Sequence, residues 1–194
     1  MSIPYVIEKG PGDQERSYDL FSRLLKDRII FVRGMINEDA ADAVVAQLLF
    51  LESVDPKEDI RMYIHSPGGI ITSMYAIYDT MNYIKSDIVT VGMGQCASAA
   101  SFLLAAGTKG KRYGLPNLEV MIHELSGGTQ GKFNDMKVDF KKLEKTHNKL
   151  AEYYVKFTGQ DLSKVKADME RDYFMSALEA KEYGLIDEVH EFRS

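Results

Sequence analysis

The clearest structural signal of the chain lies in residues 88–107, which read IVTVGMGQCASAASFLLAAG. The β-branched run at 88–91 is typical of a buried strand, and the glycines within 92–95 indicate a loop after it. A helix of small and apolar residues is expected from about Ser98 to Ala106, because a glycine follows that can end it. The stretch therefore predicts one strand–loop–helix unit of an α/β protein.

The same order of elements recurs on both sides of this unit. Further strands are expected at residues 29–32, 60–64 and 120–122. Amphipathic helices follow the first two, and Asn37 is placed to cap the earlier of them. Strands alternating with helices at this spacing indicate a single α/β domain with a largely parallel sheet.

Both ends of the chain depart from this repeat. The first sixteen residues are expected to form a loose arm, because Gly10-Pro11-Gly12-Asp13 breaks regular structure. A long charged helix is predicted from Asn134 or Asp135 to Gly159, with a narrow apolar stripe. Such a stripe favours packing on a partner subunit or a second long helix, and the alternative is a plain surface helix with a solvated face. A capping box at Ser176–Glu179 predicts a short helix near the end.

Composition excludes several classes of function. The 194 residues are 45% hydrophobic and 27% charged, with a net charge of −5, which is a poor match to general nucleic-acid binding. A single cysteine, Cys96, allows neither an internal disulfide nor a cysteine-rich zinc site, and we expect it to be a small core residue. The first ten residues lack the pattern of a signal peptide, and no apolar run could span a bilayer. We therefore expect a cytoplasmic protein with no membrane partner.

Two motifs in the chain are misleading. His123-Glu124 begins like a zinc-protease HExxH motif, but Gly127 occupies the position of the second ligand, so no metal site is expected. The stretch from Gly92 to Ala97 matches the G-x-G-x-x-A dinucleotide fingerprint, but no acidic residue closes a strand about 20 residues later. A dinucleotide enzyme stays open as the weakest alternative.

A stronger signal is the serine that begins the helix of the first unit. Ser98 lies where helix N–H groups could stabilise a developing oxyanion, although a serine so placed is more often a simple helix cap. His123 ends the next strand, and Gly68-Gly69 end an earlier one, so all should lie at one edge of the sheet. Asp172 is a candidate to orient the histidine, but spacing alone does not select it among 29 acidic residues.

Several of these segments together carry a family resemblance. They are IHSPGG (64–69), GQCAS (94–98), LLAAGTKGKR (103–112), MIH (121–123) and ERD (170–172). In this order they resemble the ClpP family, the proteolytic subunits of Clp proteases, over nearly the whole chain. The resemblance implies a crotonase-like α/β fold of repeated β-β-α and β-α units. It also implies an axial N-terminal arm at 1–17, one peptidase domain at 18–194 and a protruding handle helix at about 133–158.

The resemblance also implies a serine peptidase site. Ser98 would be the nucleophile, His123 the general base and Asp172 the residue that orients the histidine. The amides of Gly69 and Ala99 would form the oxyanion hole. The substrate would be bound by Gly68, Ile70, Leu125, Ser126 and Gly127. Arg171 would couple contact between rings to alignment of the triad.

Partners follow from the same resemblance. The family assembles as two stacked heptameric rings, and an AAA+ unfoldase of the ClpX, ClpA or ClpC type feeds in unfolded polypeptides. The ATPase uses the nucleotide, so this chain should need no cofactor. His65, Arg61 and the pair Glu124-Leu125 depart from the family pattern, and they suggest a divergent member.

Two further alternatives stay open at this stage. The first is a latent or weakly active ring subunit that supports an active ClpP paralogue. The second is a crotonase-type acyl-CoA enzyme, which would share the fold and the oxyanion glycines.

Overall fold

The computed structural model describes residues 3–9 and 15–191. The strands are β1 (Tyr5–Lys9), β2 (Glu15–Asp19), β3 (Ile29–Arg33), β4 (Ile60–Ser66), β5 (Ile88–Ala97), β6 (Arg112–Gly114), β7 (Glu119–Ile122), β8 (Tyr173–Ser176) and β9 (Glu188–Val189). The helices are α1 (Leu20–Lys26), α2 (Glu38–Val54), α3 (Ile71–Tyr83), α4 (Ala99–Ala105), α5 (Phe133–Thr158), α6 (Leu162–Met169) and α7 (Ala177–Tyr183).

The main sheet is mostly parallel, as predicted. Its strands run in the order β3-β4-β5-β6-β9, all parallel, while β7 pairs in parallel with the far half of β5. Only β8 runs the other way, antiparallel to β7. The apolar residues of α2, α3 and α4 pack with those of the strands in one core. The α/β class expected from the alternating pattern is confirmed.

The glycine-rich segment after residue 91 is strand, and the expectation of a loop at 92–95 was wrong. Ile64 of β4 pairs with Gly92, but Ser66 pairs with Cys96, so β5 carries two extra residues at this point. The extra residues are accommodated by Gly94, whose φ is +60°. The Gln95 N–H donates to His65 Nδ1 at 3.2 Å. Beyond this bulge β5 exchanges β6 for β7 as its neighbour, which directs its end toward the residues that follow β7.

The N-terminal segment is not a loose arm where it is described. β1 and β2 form an antiparallel pair whose register runs from Tyr5↔Asp19 to Lys9↔Glu15. Glu8 forms ion pairs with Arg23 and Lys26 of α1, and these tie the pair to the body of the protein. The boundary expected at residues 17/18 therefore falls inside β2. The expected break at 10–13 lies outside the described residues.

Helix ends follow the local signals of the sequence. Asn37 Oδ1 accepts the Ala40 N–H at 2.9 Å, and Ser176 forms a reciprocal capping box with Glu179. Gly159 ends α5 with a φ of +76°, a left-handed conformation that favours glycine. α5 covers Phe133–Thr158, the range that the resemblance implies for the long helix.

The two halves of α5 differ sharply in burial. Leu150, Tyr154 and Phe157 of the second half are buried against the core, whereas Val138 and Phe140 of the first half are 67% and 65% exposed. The helix therefore leaves the body of the protein with apolar side chains uncovered. This is the arrangement that a helix needs if another subunit is to cover it.

Arg112 joins three distant parts of the chain. Its guanidinium donates to the carbonyl oxygens of Ala105 and Phe157, at the ends of α4 and α5, and to the Asp187 carboxylate at 2.6 Å. Arg112 is 3% exposed. Burial alone would raise the pKa of Asp187, but hydrogen bonds and charge from Arg112 hold that pKa below its ordinary value. A buried pair of this kind is costly to break, because either partner would leave the other charge uncompensated.

The Tyr75 hydroxyl is buried and has no hydrogen-bond partner among the described residues. We expect Tyr75→Phe to raise the free energy of unfolding by about 1 kcal/mol, because it removes an unsatisfied polar atom and keeps the ring. Thermal unfolding measured by circular dichroism checks this. A lower melting temperature would contradict the prediction and would mean that a neighbouring subunit bonds this hydroxyl.

Candidate active site

Ser98 occupies a sharp turn between β5 and α4. Its φ and ψ are +56° and −123°, and Arg28 is the only other non-glycine residue with positive φ in the described ranges. Its N–H donates to the carbonyl oxygen of Met121 on β7 at 2.9 Å, which fixes the turn against that strand. The Ser98 hydroxyl makes no capping hydrogen bond. Ser98 is thus the N-cap residue of α4 by position, but its side chain does not cap the helix as in the simple alternative.

The structure brings three of the predicted site residues together. His123 follows β7, and its Nε2 lies 2.8 Å from Ser98 Oγ. The Nδ1 atom of the same ring lies 3.7 Å from Asp172 Oδ1, which is an ion-pair distance but longer than a hydrogen bond. The side chain of Asp172 is 61% exposed, that of His123 24%. The serine and histidine are thus engaged, and the carboxylate is in loose contact.

Antiparallel pairing of β7 and β8 explains how Asp172 reaches the site. Ile122 pairs with Tyr173, so the residue before β8 lies beside the residue after β7. Asp172 is the only carboxylate of the described chain that forms an ion pair with His123, and Glu124 forms none.

The two glycines at the end of β4 cannot carry side chains. A Cβ on Gly68, whose φ is +99°, would lie 2.7 Å from Ser98 Cβ and from the Ala97 carbonyl oxygen. A Cβ on Gly69 would lie 2.3 Å from the Ile36 carbonyl oxygen. The amides of Gly69 and Ala99 donate no hydrogen bond to any described residue. Both line the same pocket as Ser98, so they are available to a bound group.

A pocket beside Ser98 and His123 has walls that are partly apolar. The apolar part is formed by Ile71, Met74, Phe102, Leu150 and Met169, and Tyr154 also lines the pocket. These apolar residues could not be predicted as site residues, because an apolar side chain facing a pocket has the same sequence pattern as one facing the core. A second groove that Ser98 also lines includes the half-exposed Ile70.

The segment after His123 borders both cavities. Leu125 and Ser126 line each of them, and the backbone groups of residues 124–128 form no hydrogen bond with a described residue. By contrast, Gly68 and Ile70 already use their backbone groups: both bond to Ile36, from the Gly68 carbonyl oxygen and from the Ile70 N–H. Of these two segments, only residues 124–128 therefore have an unpaired backbone edge. The substrate-binding roles of Gly68 and Ile70 stay predictions.

Arg171 is exposed and makes no hydrogen bond or ion pair with another described residue. Its expected role depends on a second ring, so it stays a prediction.

The segment Gly92–Ala97 does not form the loop that a dinucleotide site needs. It lies inside β5, and a Cβ on Gly92 would lie 2.9 Å from the side chains of Leu104 and Leu118. Core packing and the strand bulge thus account for both glycines of the fingerprint. In residues 3–9 and 15–191, no three His, Cys, Asp or Glu side chains gather as metal ligands. No helix in these ranges is long and apolar enough to cross a membrane.

Cys96 lies two residues before Ser98 but is fully buried, with its Sγ 3.2 Å from the Ile64 carbonyl oxygen. Burial raises the pKa of this thiol from 9.0 to about 12. We expect iodoacetamide to leave Cys96 unmodified in the native protein at about pH 8 and to alkylate it after unfolding, because the thiolate is the nucleophile. Above about pH 9 the thiol ionises in the unfolded chain but stays protonated in the folded one. The free energy of unfolding should therefore fall as the pH rises past about 9. Intact mass spectrometry checks the first expectation, and rapid native alkylation would contradict it.

One comparison with known proteins bears on this geometry. The family model described as Clp protease matches residues 12–193, which is nearly the whole chain.

Proposed function

The chain belongs to the Clp protease family, and from that premise we propose that it is the proteolytic subunit of an ATP-dependent Clp protease. Family membership makes a peptidase the expected activity and implies a ring oligomer that works with an unfoldase. The proposed reaction is hydrolysis of peptide bonds in unfolded polypeptides, with Ser98 as nucleophile. The observation that carries the proposal is the 2.8 Å contact between Ser98 Oγ and His123 Nε2, in a pocket with two unpaired amides.

The chemistry follows from these positions. His123 Nε2 takes the Ser98 proton as Oγ attacks the scissile carbonyl carbon, and the amides of Gly69 and Ala99 stabilise the resulting oxyanion. The imidazolium then gives that proton to the leaving amine, which produces an acyl-enzyme. A water molecule, deprotonated by the same histidine, hydrolyses the ester and restores Ser98. The negative charge of Asp172 stabilises the imidazolium in both steps.

Substrate binding is proposed along the unpaired backbone of residues 124–128. An extended polypeptide can pair with this edge as an added strand, since main-chain hydrogen bonds give affinity without sequence specificity. The apolar pocket beside Ser98 would accept the side chain that precedes the cleaved bond. Cleavage after leucine or methionine is therefore expected to exceed cleavage after aspartate.

The proposed assembly is two stacked heptameric rings in the cytoplasm. The uncovered apolar side chains of the first half of α5 support contact between rings, with Arg171 close to the triad. Residues 1–17 are proposed as an axial arm. An AAA+ unfoldase would supply unfolded chains and use the ATP, so this subunit needs no cofactor.

The test is hydrolysis of short and long substrates by the purified oligomer. A fluorogenic peptide ending in leucine should be cleaved without ATP, and an unfolded protein such as casein should be cleaved faster when an unfoldase and ATP are added. The matched peptide ending in aspartate is the specificity control. Rings that cleave none of these substrates would contradict the proposal.

A second candidate function is a latent ring subunit that supports an active paralogue. The observation that favours it is the 3.7 Å separation of His123 Nδ1 and Asp172 Oδ1. A latent subunit would be inactive alone, whereas mixed rings with the paralogue would be active. Comparing mixed rings that contain the wild-type chain with rings that contain its Ser98→Ala variant shows which subunit cleaves the substrate.

We expect Asp172→Asn to lower kcat between about 10- and 100-fold. Loss of this carboxylate costs about 10⁴-fold in a fully engaged triad, and here the contact is loose and solvent-exposed. KM should change little, because Asp172 lines neither cavity beside Ser98. Steady-state kinetics with the leucine peptide checks both values. An unchanged kcat would show that another group orients His123.

A further inference from the structure

A second hydrogen-bonded chain reaches the Ser98 turn from α5. The hydroxyl of Tyr154 lies 2.8 Å from Ser101 Oγ, and Ser101 Oγ lies 2.7 Å from the carbonyl oxygen of Ser98. Ser101 is fully buried, and Tyr154 is 4% exposed. Tyr154 also lines the pocket beside Ser98 and His123. The two hydroxyls make no hydrogen bond to the Ser98 hydroxyl or to His123, so the mechanism above does not use them.

The direction of the two bonds is fixed by chemistry. A carbonyl oxygen can only accept, so Ser101 donates its one proton to Ser98, and Tyr154 must then donate to Ser101. Burial raises the pKa of Tyr154 well above its ordinary value, so its hydroxyl keeps the proton that this bond needs. The chain of donors therefore runs one way, from α5 to the backbone of Ser98.

The backbone of Ser98 needs such support. A positive φ is unfavourable for a residue with a side chain, and it persists only where the surroundings hold it. The N–H of Ser98 is held by Met121 on β7, whereas its carbonyl oxygen is held by Ser101 and by the Phe102 N–H of α4. Apart from His123, which bonds the Ser98 hydroxyl, Tyr154 is the only described residue outside β7 and α4 that is linked to this turn through side-chain hydrogen bonds.

We propose that Tyr154 and Ser101 are positioning residues that hold the Ser98 turn in its reactive conformation and make the reactivity of Ser98 depend on the placement of α5. The inference rests on the proposed function, since it takes Ser98 as the nucleophile. It separates chemistry from binding: without the hydroxyl chain Ser98 reacts more slowly, although the pocket keeps its shape.

The experiment measures the rate at which a fluorophosphonate labels the full-length protein, over a range of probe concentrations. This gives a maximal labelling rate and a half-saturating concentration for each variant. The variants are Tyr154→Phe, Ser101→Ala and the two combined. The control is Tyr153→Phe, which removes a hydroxyl from the preceding residue of α5. The Tyr153 ring packs against Tyr78, and its hydroxyl has no hydrogen bond with another described residue. Thermal unfolding of each variant confirms that labelling is measured on folded protein.

We expect Tyr154→Phe and Ser101→Ala each to lower the maximal labelling rate about tenfold, with an unchanged half-saturating concentration. The double variant should lose no more than Ser101→Ala alone, because Tyr154 acts only through Ser101. Tyr153→Phe should match the wild type. Losses that multiply in the double variant, or a change confined to the half-saturating concentration, would overturn the positioning role.

The outcomes also separate this inference from the proposed function. If the wild-type protein is labelled and Tyr154→Phe is labelled equally fast, the positioning role falls and the proposed function stands. If the folded wild-type rings are not labelled at all, the proposed nucleophile fails and the positioning role falls with it.

Discussion

Ser98→Ala is expected to abolish fluorophosphonate labelling and to lower peptide hydrolysis at least about 10⁴-fold, because the nucleophile itself is removed. The loss should appear almost wholly in kcat, since the pocket and the edge at residues 124–128 are unchanged. Intact mass spectrometry should show a single adduct on each wild-type subunit and none on the variant.

The matched control for this prediction is Ser163→Ala. Ser163 carries the same hydroxyl group, but it is exposed on α6 and lines neither cavity beside Ser98. It should be labelled like the wild type. An adduct that persists in Ser98→Ala would place the reactive group elsewhere and would contradict the site described above.

Gly68→Ala is expected to lower the labelling rate by at least about 100-fold. The added Cβ would lie 2.7 Å from Ser98 Cβ, and the position has a φ of +99° that a residue with a side chain rarely adopts. The clash can be relieved only by moving the nucleophile, and a displacement of about 1 Å costs about 100-fold in rate. We also expect the free energy of unfolding to fall by about 2–4 kcal/mol through strain and overpacking.

The control for this substitution is Gly128→Ala. Nothing lies within 4 Å of a Cβ built at Gly128, so the variant should keep the stability of the wild type. Labelling rates and chemical unfolding of the two variants separate the local clash from a general effect of losing glycine. Normal labelling of Gly68→Ala would mean that the turn at Ser98 is far more adaptable than its packing indicates.

The sequence was most informative where the signal was local or followed from the parallel sheet. The end of α5 could be predicted because Gly159 and the change in polarity lie next to each other in the chain. The closeness of Ser98 and His123 could also be predicted, because parallel strands of one sheet end at the same edge. Both expectations required only neighbouring elements and their order.

Prediction failed where pairing was non-local or the strand was irregular. Asp172 reaches His123 through a four-residue antiparallel strand whose partner lies about 50 residues earlier in the chain, and no spacing rule selects such a pair. The bulge of β5 has the glycine pattern of a loop, because glycine serves both structures for the same conformational reason. Ser101 is visible in the sequence as the one polar residue of an otherwise apolar helix. Its bond to Tyr154 could not be predicted, because it depends on the packing of α4 against α5.

The contact between Arg112 and Asp187 has a consequence for biosynthesis. Ser98, His123 and Asp172 all precede Asp187 in the chain, so a ribosome completes every residue of the proposed site before it supplies the carboxylate that neutralises the buried guanidinium. Until Asp187 is present, the Arg112 guanidinium between the ends of α4 and α5 has no carboxylate partner, so its burial is unfavourable. The core below the Ser98 turn is therefore less stable in the incomplete chain. The growing chain thus contains all residues of the proposed site before that site can fold stably. The addition of Asp187 determines when stable folding becomes possible.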